Sequence, residues 1–288
     1  MRCGTRQLVR MCLLLVVACA GTTPLQASGH GPLFGAATPV LGRGGWSFDA
    51  ALVGRSTEDA IAQTLRALIS FGVTENLQLS ASLPLEIGTH PPMPGARVTS
   101  MMSHGNDVEV TAGWRFHSRP VGIGGRFEST VFVGWMHPLD DGANIHEMTP
   151  SFSVTAVTGY ASRAHYFWVG AGHQRFLERE GSRPSNLTTY SVVYGYRPPA
   201  WRLDYPKPDV RIFGELVAER VGQARHFGFD YQFSGGTTVF AGPSVLALYK
   251  EYGLEAGVLF PLYRNMKIGE RKEHLRFGVN FAYFFWLD

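Results

Sequence analysis

The chain has 288 residues, 45% of them hydrophobic and 17% charged, with 26 basic against 23 acidic side chains. Three of the basic residues, Arg2, Arg6 and Arg10, lie at the extreme N-terminus, so the chain beyond residue 27 carries 23 of each sign and offers nucleic acid no electrostatic footprint. Cysteine occurs only at Cys3, Cys12 and Cys19, which excludes a disulfide framework or a thiolate site from everything that follows.

Residues 1–27 read as a secretory signal peptide. The three arginines form a positive start, Met11 to Ala20 a short apolar run, and Pro24-Leu25-Gln26-Ala27 a cleavage site after Ala27. Val16-Val17-Ala18-Cys19 loosely fits a lipid-attachment site, but a barrel needs no lipid anchor and the usual leucine three residues before the cysteine is missing. Residues 28–44, rich in glycine and proline, read as a periplasmic lead-in, and 45–288 as one barrel domain.

No later apolar run approaches the roughly 20 residues of a spanning helix. Instead the chain offers twelve strand-like segments: 46–55, 65–73, 77–85, 108–117, 126–137, 151–160, 166–176, 187–197, 210–220, 237–249, 253–263 and 275–285. The third sets Leu77, Leu79, Ala81, Leu83 and Leu85 against Gln78, Ser80 and Ser82. The fourth sets Val108, Val110, Ala112, Trp114 and Phe116 against Glu109, Thr111, Arg115 and His117. The ninth sets Val210, Ile212, Leu216 and Ala218 against Arg211, Glu215 and Glu219. The sixth to eighth alternate less cleanly. The last reads LRFGVNFAYFF, large and apolar at every odd position, and its length suits a tilted strand crossing a bilayer.

The connections supply a second test. Links 74–76, 118–125, 161–165, 198–208 and 250–252 fall at one end of the strands; 56–64, 86–107, 138–150, 177–186, 221–236 and 264–274 fall at the other. The second set is mostly longer, as in outer-membrane barrels with short periplasmic turns. The exception is 198–208, long and proline-rich for a turn. An even strand number puts both termini on the periplasmic side.

Charges sort by face. Asp49, Arg66, Glu109, Arg115, Arg126, Glu128, Arg211, Glu215, Glu219, Glu255 and Arg276 all fall on the polar face. In a soluble sandwich that face would be the outside; in a barrel in lipid it lines the lumen. The signal peptide, the aromatic closing strand and the unequal links favour the barrel, whose closure also removes the sheet edges that lipid forbids. The expected fold class is all-β, a transmembrane antiparallel up-and-down β-barrel of about twelve strands. Its partners would be outer-membrane lipid and the barrel-assembly machinery.

Two hairpins carry a resemblance. Gly72-Val73-Thr74-Glu75-Asn76-Leu77-Gln78-Leu79, running on to Pro84, resembles a segment of the MetA-pathway phenol-degradation-like outer-membrane proteins. Ala241-Gly242-Pro243, Tyr252-Gly253-Leu254-Glu255-Ala256-Gly257 and Phe260-Pro261-Leu262 are similar to that family's penultimate hairpin. The resemblance implies a barrel that passes a small solute, and no catalytic residue. The tail departs from the pattern, since Trp286-Leu287-Asp288 ends on an acid.

For the lumen, five arginines and six acids argue against a strongly ion-selective ladder. They pair across the lumen and stabilise or partly plug it, or they line a narrow polar pore for a neutral or zwitterionic solute; about twelve strands permit either. Arg276 is expected to reach Glu255 or Asp49. A structural or surface-interaction barrel with a plugged lumen is the alternative to a transporter.

The links after the third and fifth strands concentrate histidine and methionine: His90, Met93, Met101, Met102 and His104 in one, Met136, His137, His146 and Met148 in or beside the other. Imidazole suits copper and zinc, and thioether selects Cu(I), so these form a candidate Cu or Zn site in the outer loops. His30 is a possible periplasmic addition. An outer-membrane lipid-modifying enzyme would need a nucleophile, base and orienter at the rim. His117, His165 and His173 are candidate bases, but no Gly-x-Ser-x-Gly accompanies them, and Gly242-Pro243-Ser244 reads as barrel geometry.

Overall fold

The computed structural model describes residues 31–57, 61–86, 107–138, 149–203, 206–268 and 272–287. All twelve expected strands form, and all but the eighth are longer than the alternation alone marks. They are β1 (Gly45–Thr57), β2 (Ile61–Gly72), β3 (Leu77–Glu86), β4 (Asp107–Pro120), β5 (Arg126–Pro138), β6 (Ser151–Ala161), β7 (His165–Phe176), β8 (Leu187–Tyr196), β9 (Asp209–Val221), β12 (Gly236–Tyr249), β13 (Tyr252–Met266) and β14 (Glu273–Trp286). Between β9 and β12 sits a small hairpin, β10 (Arg225–His226) with β11 (Phe229–Asp230).

Each long strand pairs antiparallel with its chain neighbours, and β14 returns to β1 to close the barrel. The seam is continuous from Gly45↔Trp286 to Ser56↔Leu275, so it leaves no open edge. One expected link shrinks sharply. The sequence pattern puts an outer link at 56–64, but Ser56 pairs with Ile61 and only 58–60 separates β1 from β2. The long link between β8 and β9 is ordered by side chains: Arg197 and Arg211 both pair with Asp209, and residues Pro199–Trp201 form a 3-10 turn.

The closing strand shows why the pattern works. Arg276, Gly278, Asn280, Ala282 and Phe284 are buried and face inward, while Val279 and Phe281 are exposed on the outer wall. The same outer wall carries Leu79 and Leu83 on β3, Val110 and Trp114 on β4, and Phe167 and Val169 on β7. An apolar exterior around a polar interior is the polarity of a barrel in lipid and the inverse of a soluble sandwich. At the end where β1 begins and β14 finishes, Trp46 meets Phe71 at 4.5 Å and Tyr283 lies 5.4 Å from Tyr252, an aromatic girdle of the kind found at a membrane–water interface. Arg175 and Arg220, also on the outer wall, sit at the opposite rim, where long side chains can reach water.

The fourth strand corrects a detail. A bulge between Arg115 and His117 inserts Phe116, so His117 pairs with Ser129 and turns outward against Phe127, 5.8 Å away. It does not share the inner face of Glu109 and Arg115.

The largest departure concerns residues 31–44. The sequence places them outside the barrel as a lead-in; instead residues 31–41 run inside it, against the inner wall. Leu33, Phe34, Ala36 and Leu41 are buried and join inward side chains such as Val53, Trp168, Val193, Phe213 and Phe240 in one apolar cluster. Burying such a side chain contributes about 1.5–3 kcal/mol, which a free tail would forgo. This cluster also explains the noisy alternation of the sixth to eighth strands. Tyr166, Trp168 and Val193 face inward to meet the segment, while Phe167, Val169 and Val192 face outward, so both walls there are apolar.

Candidate functional site: a lumen with an internal segment

The segment is tied down by the wall's polar side chains at successive points. Leu41 N–H donates to Oε1 of Gln78 on β3 at 2.7 Å. The Thr38 hydroxyl donates to Glu128 on β5 at 3.1 Å, the Thr130 hydroxyl donates to the Thr38 carbonyl at 2.7 Å, and the Trp168 indole N–H donates to Thr38 Oγ1 at 3.0 Å. Ala36 N–H donates to Ser191 on β8 at 3.2 Å. Three consecutive amides then converge on Glu215 of β9: Leu33 at 3.1 Å on Oε1, Phe34 at 2.9 Å and Gly35 at 2.5 Å on Oε2. The Ser244 hydroxyl donates to the same carboxylate. Successive amides cradling an anion form a nest, here with a fixed carboxylate as its anion. At Gly170 the approach is close: a Cβ there would lie 2.8 Å from Ala36 Cβ and 2.9 Å from Ser191 Oγ.

The remaining lumen charges form local groups. Glu128 takes Arg115 at 2.8 Å and Arg126 at 3.1 Å, and Arg115 extends to Asn76 Oδ1 in the turn between β2 and β3. Arg276 was expected to reach Glu255 or Asp49. It pairs instead with Glu219, three strands along the wall, and with Glu273 at 2.8 Å, and its guanidinium lies 4.3 Å from the Phe240 ring centroid. Strand tilt and inward length set that choice, because an arginine reaches across a curved wall to a carboxylate at its own height. Arg66 donates to Ser82 at 2.6 Å and to the Asp107 carbonyl, and Arg211 joins Asp209 and stacks 5.2 Å from Tyr166.

The partners expected for Arg276 are taken by Asn280. Its amide donates to Asp49 at 3.2 Å and Glu255 at 3.1 Å, while Ser47 donates to the other Asp49 oxygen at 3.1 Å. All of these are buried. Between this wall and the internal segment lies a cavity of about 150 Å³, with room for about five waters. Its lining combines the polar Asp49, Glu109, Glu255 and Asn280 with the apolar Leu33, Leu41, Leu68 and Phe132, and Leu68 on β2 stands directly beside Asp49 on β1.

The eleven charged residues expected on the lumen face stand on the inner wall, ten of them mostly or fully shielded, with Arg126 the most exposed at 45% of its side chain. Sequence reasoning missed Asp209, Arg197, Arg55 and Glu273, which lie at strand ends beyond the clean alternation, and it missed Asn280 and Thr38 because neutral polar residues gave no signal. Of the proposed metal ligands, His90, Met93, Met101, Met102, His104, His146 and Met148 lie outside the described residues. His137 is exposed on β5, and its neighbour Met136 is buried inside, receiving contacts from Ser151 and Gln174. His117, His165 and His173 are all outward and separate: His165 contacts Tyr194 and His173 contacts Thr188, and Ser244 is inside with Glu215.

The sequence matches no protein-family model and no curated protein. Its fold is similar to solved structures. An outer membrane channel from Pseudomonas putida F1 superposes with a TM-score of 0.60 at 13% identity, over 85% of this chain and 97% of that one. OccAB3 from Acinetobacter baumannii aligns with a TM-score of 0.43 at 10% identity, over 84% of this chain and 98% of that one.

Proposed function

We propose that the protein is an outer-membrane channel for a small solute, narrowed by residues 31–44. The observation that carries this is a closed barrel with an apolar exterior, a charged interior and a cavity kept open beside an internal segment. Buried carboxylates cost more than apolar packing would, and a lumen that passes a polar solute accounts for keeping them. The fold shared with a protein described as a channel, and the resemblance of the 72–84 and 241–262 segments to phenol-degradation-like outer-membrane proteins, support the same reading. No step of bond-making chemistry is assigned, because the candidate bases are dispersed on the outer wall.

The test is planar-bilayer conductance. The full chain gives a small conductance, and a variant lacking residues 31–41 gives a several-fold larger one. If neither conducts while both keep the barrel fold, the channel reading is lost.

A further inference from the structure

Six adjacent strands place small residues at one height on the inner wall. Ser47 of β1 stands opposite Ser70 of β2, Ser70 opposite Ser80 of β3, and Ser80 opposite Thr111 of β4. The line continues through Gly134 of β5 to Ser153 of β6. Each step is one strand spacing, about 4.8 Å. Gly134 is a gap the row requires, because a Cβ there would lie 2.5 Å from Ser153 Oγ and 3.4 Å from Thr111 Oγ1. The four serines and the threonine all line the cavity.

Exposure separates what a solute meets from what stands behind it. The inward side chains of Gln78, Ser80, Thr111 and Ser153 are partly exposed, and inside a closed barrel that exposure opens on the lumen. The charged residues of the lining are withdrawn: Asp49, Glu109 and Glu255 are 0%, 4% and 5% exposed. They are also engaged, Asp49 and Glu255 by Asn280 and Glu109 by Thr111. The open face is therefore uncharged, built of hydroxyls and one amide. Elsewhere the wall's hydroxyls serve the internal segment: Thr130 donates to Thr38, Ser191 accepts from Ala36, and Ser244 holds Glu215. In the row the ties run along the wall instead, from Gln78 to Ser80 at 3.0 Å and from Ser80 to Ser70 at 2.9 Å.

A charged solute that sheds water in so small a space needs an opposite charge facing it, and the open face offers none. A hydroxyl both donates and accepts, so a hydroxylated solute can exchange its bonds to water for bonds to Ser80, Thr111 and Ser153. We propose that the barrel passes small uncharged polyols, of the size of a three-carbon triol, along this hydroxyl row; the solute class rests on the channel reading.

Swelling of phosphatidylcholine proteoliposomes tests it, with protein-free vesicles as the blank and glycerol, glycerate and 3-amino-1,2-propanediol as probes of similar size and different charge. Glycerol enters severalfold faster than either charged analogue. The variant Ser80→Ala/Thr111→Val/Ser153→Ala, whose side chains are no larger than the native ones, lowers the glycerol-to-glycerate ratio severalfold. Thr111→Val alone lowers the ratio in the same direction and serves if the triple variant does not fold. Glycerol entry no faster than that of the charged analogues, or a ratio untouched in both variants, overturns the polyol row. Planar-bilayer conductance of the full chain is scored alongside. Conductance without a preference for glycerol removes the polyol row and keeps the channel, whereas neither conductance nor glycerol entry, with the barrel fold intact, removes both.

Discussion

The Phe34 amide donates to Glu215 Oε2 at 2.9 Å, joining two residues 181 positions apart in the chain. Leu33 and Gly35 donate to the same carboxylate, so one side chain of β9 holds three successive amides of the internal segment. A hydrogen bond to a charged group contributes about 1.5–3 kcal/mol, and its loss leaves a buried donor unpaired. In Glu215→Ala, amide exchange at residues 33–35 should rise by about tenfold or more, with Glu215→Gln between that variant and the native chain. Unchanged protection in Glu215→Ala would show that apolar packing alone holds the segment.

Arg276 and Glu219 form a buried pair that spans the wall from β14 to β9. Breaking a buried pair by removing one partner costs about 3–5 kcal/mol, because the other charge is stranded. Glu219→Leu should fall at the lower end of that range, since Glu273 still pairs with Arg276. Adding Arg276→Met should recover much of the loss. Urea unfolding in lipid vesicles measures both, and a double variant no more stable than the single one would contradict the pairing.

The barrel was legible because its signal is local. Val279, Phe281 and their alternating neighbours carry strand, face and length within one short segment. The internal segment was not legible for the opposite reason. Residues 31–44 have no period of their own, and their partners Glu128 and Glu215 lie 90 to 182 positions away. Nothing in a glycine- and proline-rich stretch distinguishes a free tail from one whose amides are claimed by distant acids. Arg276 shows the intermediate case: alternation gives its inward direction, but its partner depends on strand tilt and stagger, which fix which carboxylate stands at the same height. Glu273 escaped because a register shift near Thr57 separates it from the clean alternation of β14.

Gly170 sits where β7 passes under the internal segment. A valine there would bring its Cβ to 2.8 Å from Ala36 Cβ, and that atom has no rotamer by which to retreat. The segment's backbone must move, while the outward neighbours Val169 and Ala171 keep their places. Gly170→Val should therefore raise single-channel conductance toward that of the variant lacking residues 31–41. Conductance equal to the native value would mean that the segment does not set the constriction.

Val279 tests the polarity of the wall directly. It is 44% exposed on the outer face of β14, midway along the strand, between the inward Gly278 and Asn280. If the outer wall meets hydrocarbon, an arginine there costs about 2–4 kcal/mol, because the charge is driven into the bilayer midplane. If the outer wall met water, the same substitution would be worth less than about 0.5 kcal/mol, as at an ordinary surface position. Val279→Arg should accordingly lower the urea stability of the vesicle-inserted barrel by a few kcal/mol. Val279→Ala separates lost packing from charge burial, and the difference between the two variants is the measure of lipid contact. Equal stabilities for both would place the apolar wall in water and reverse the inside-out reading of the sequence.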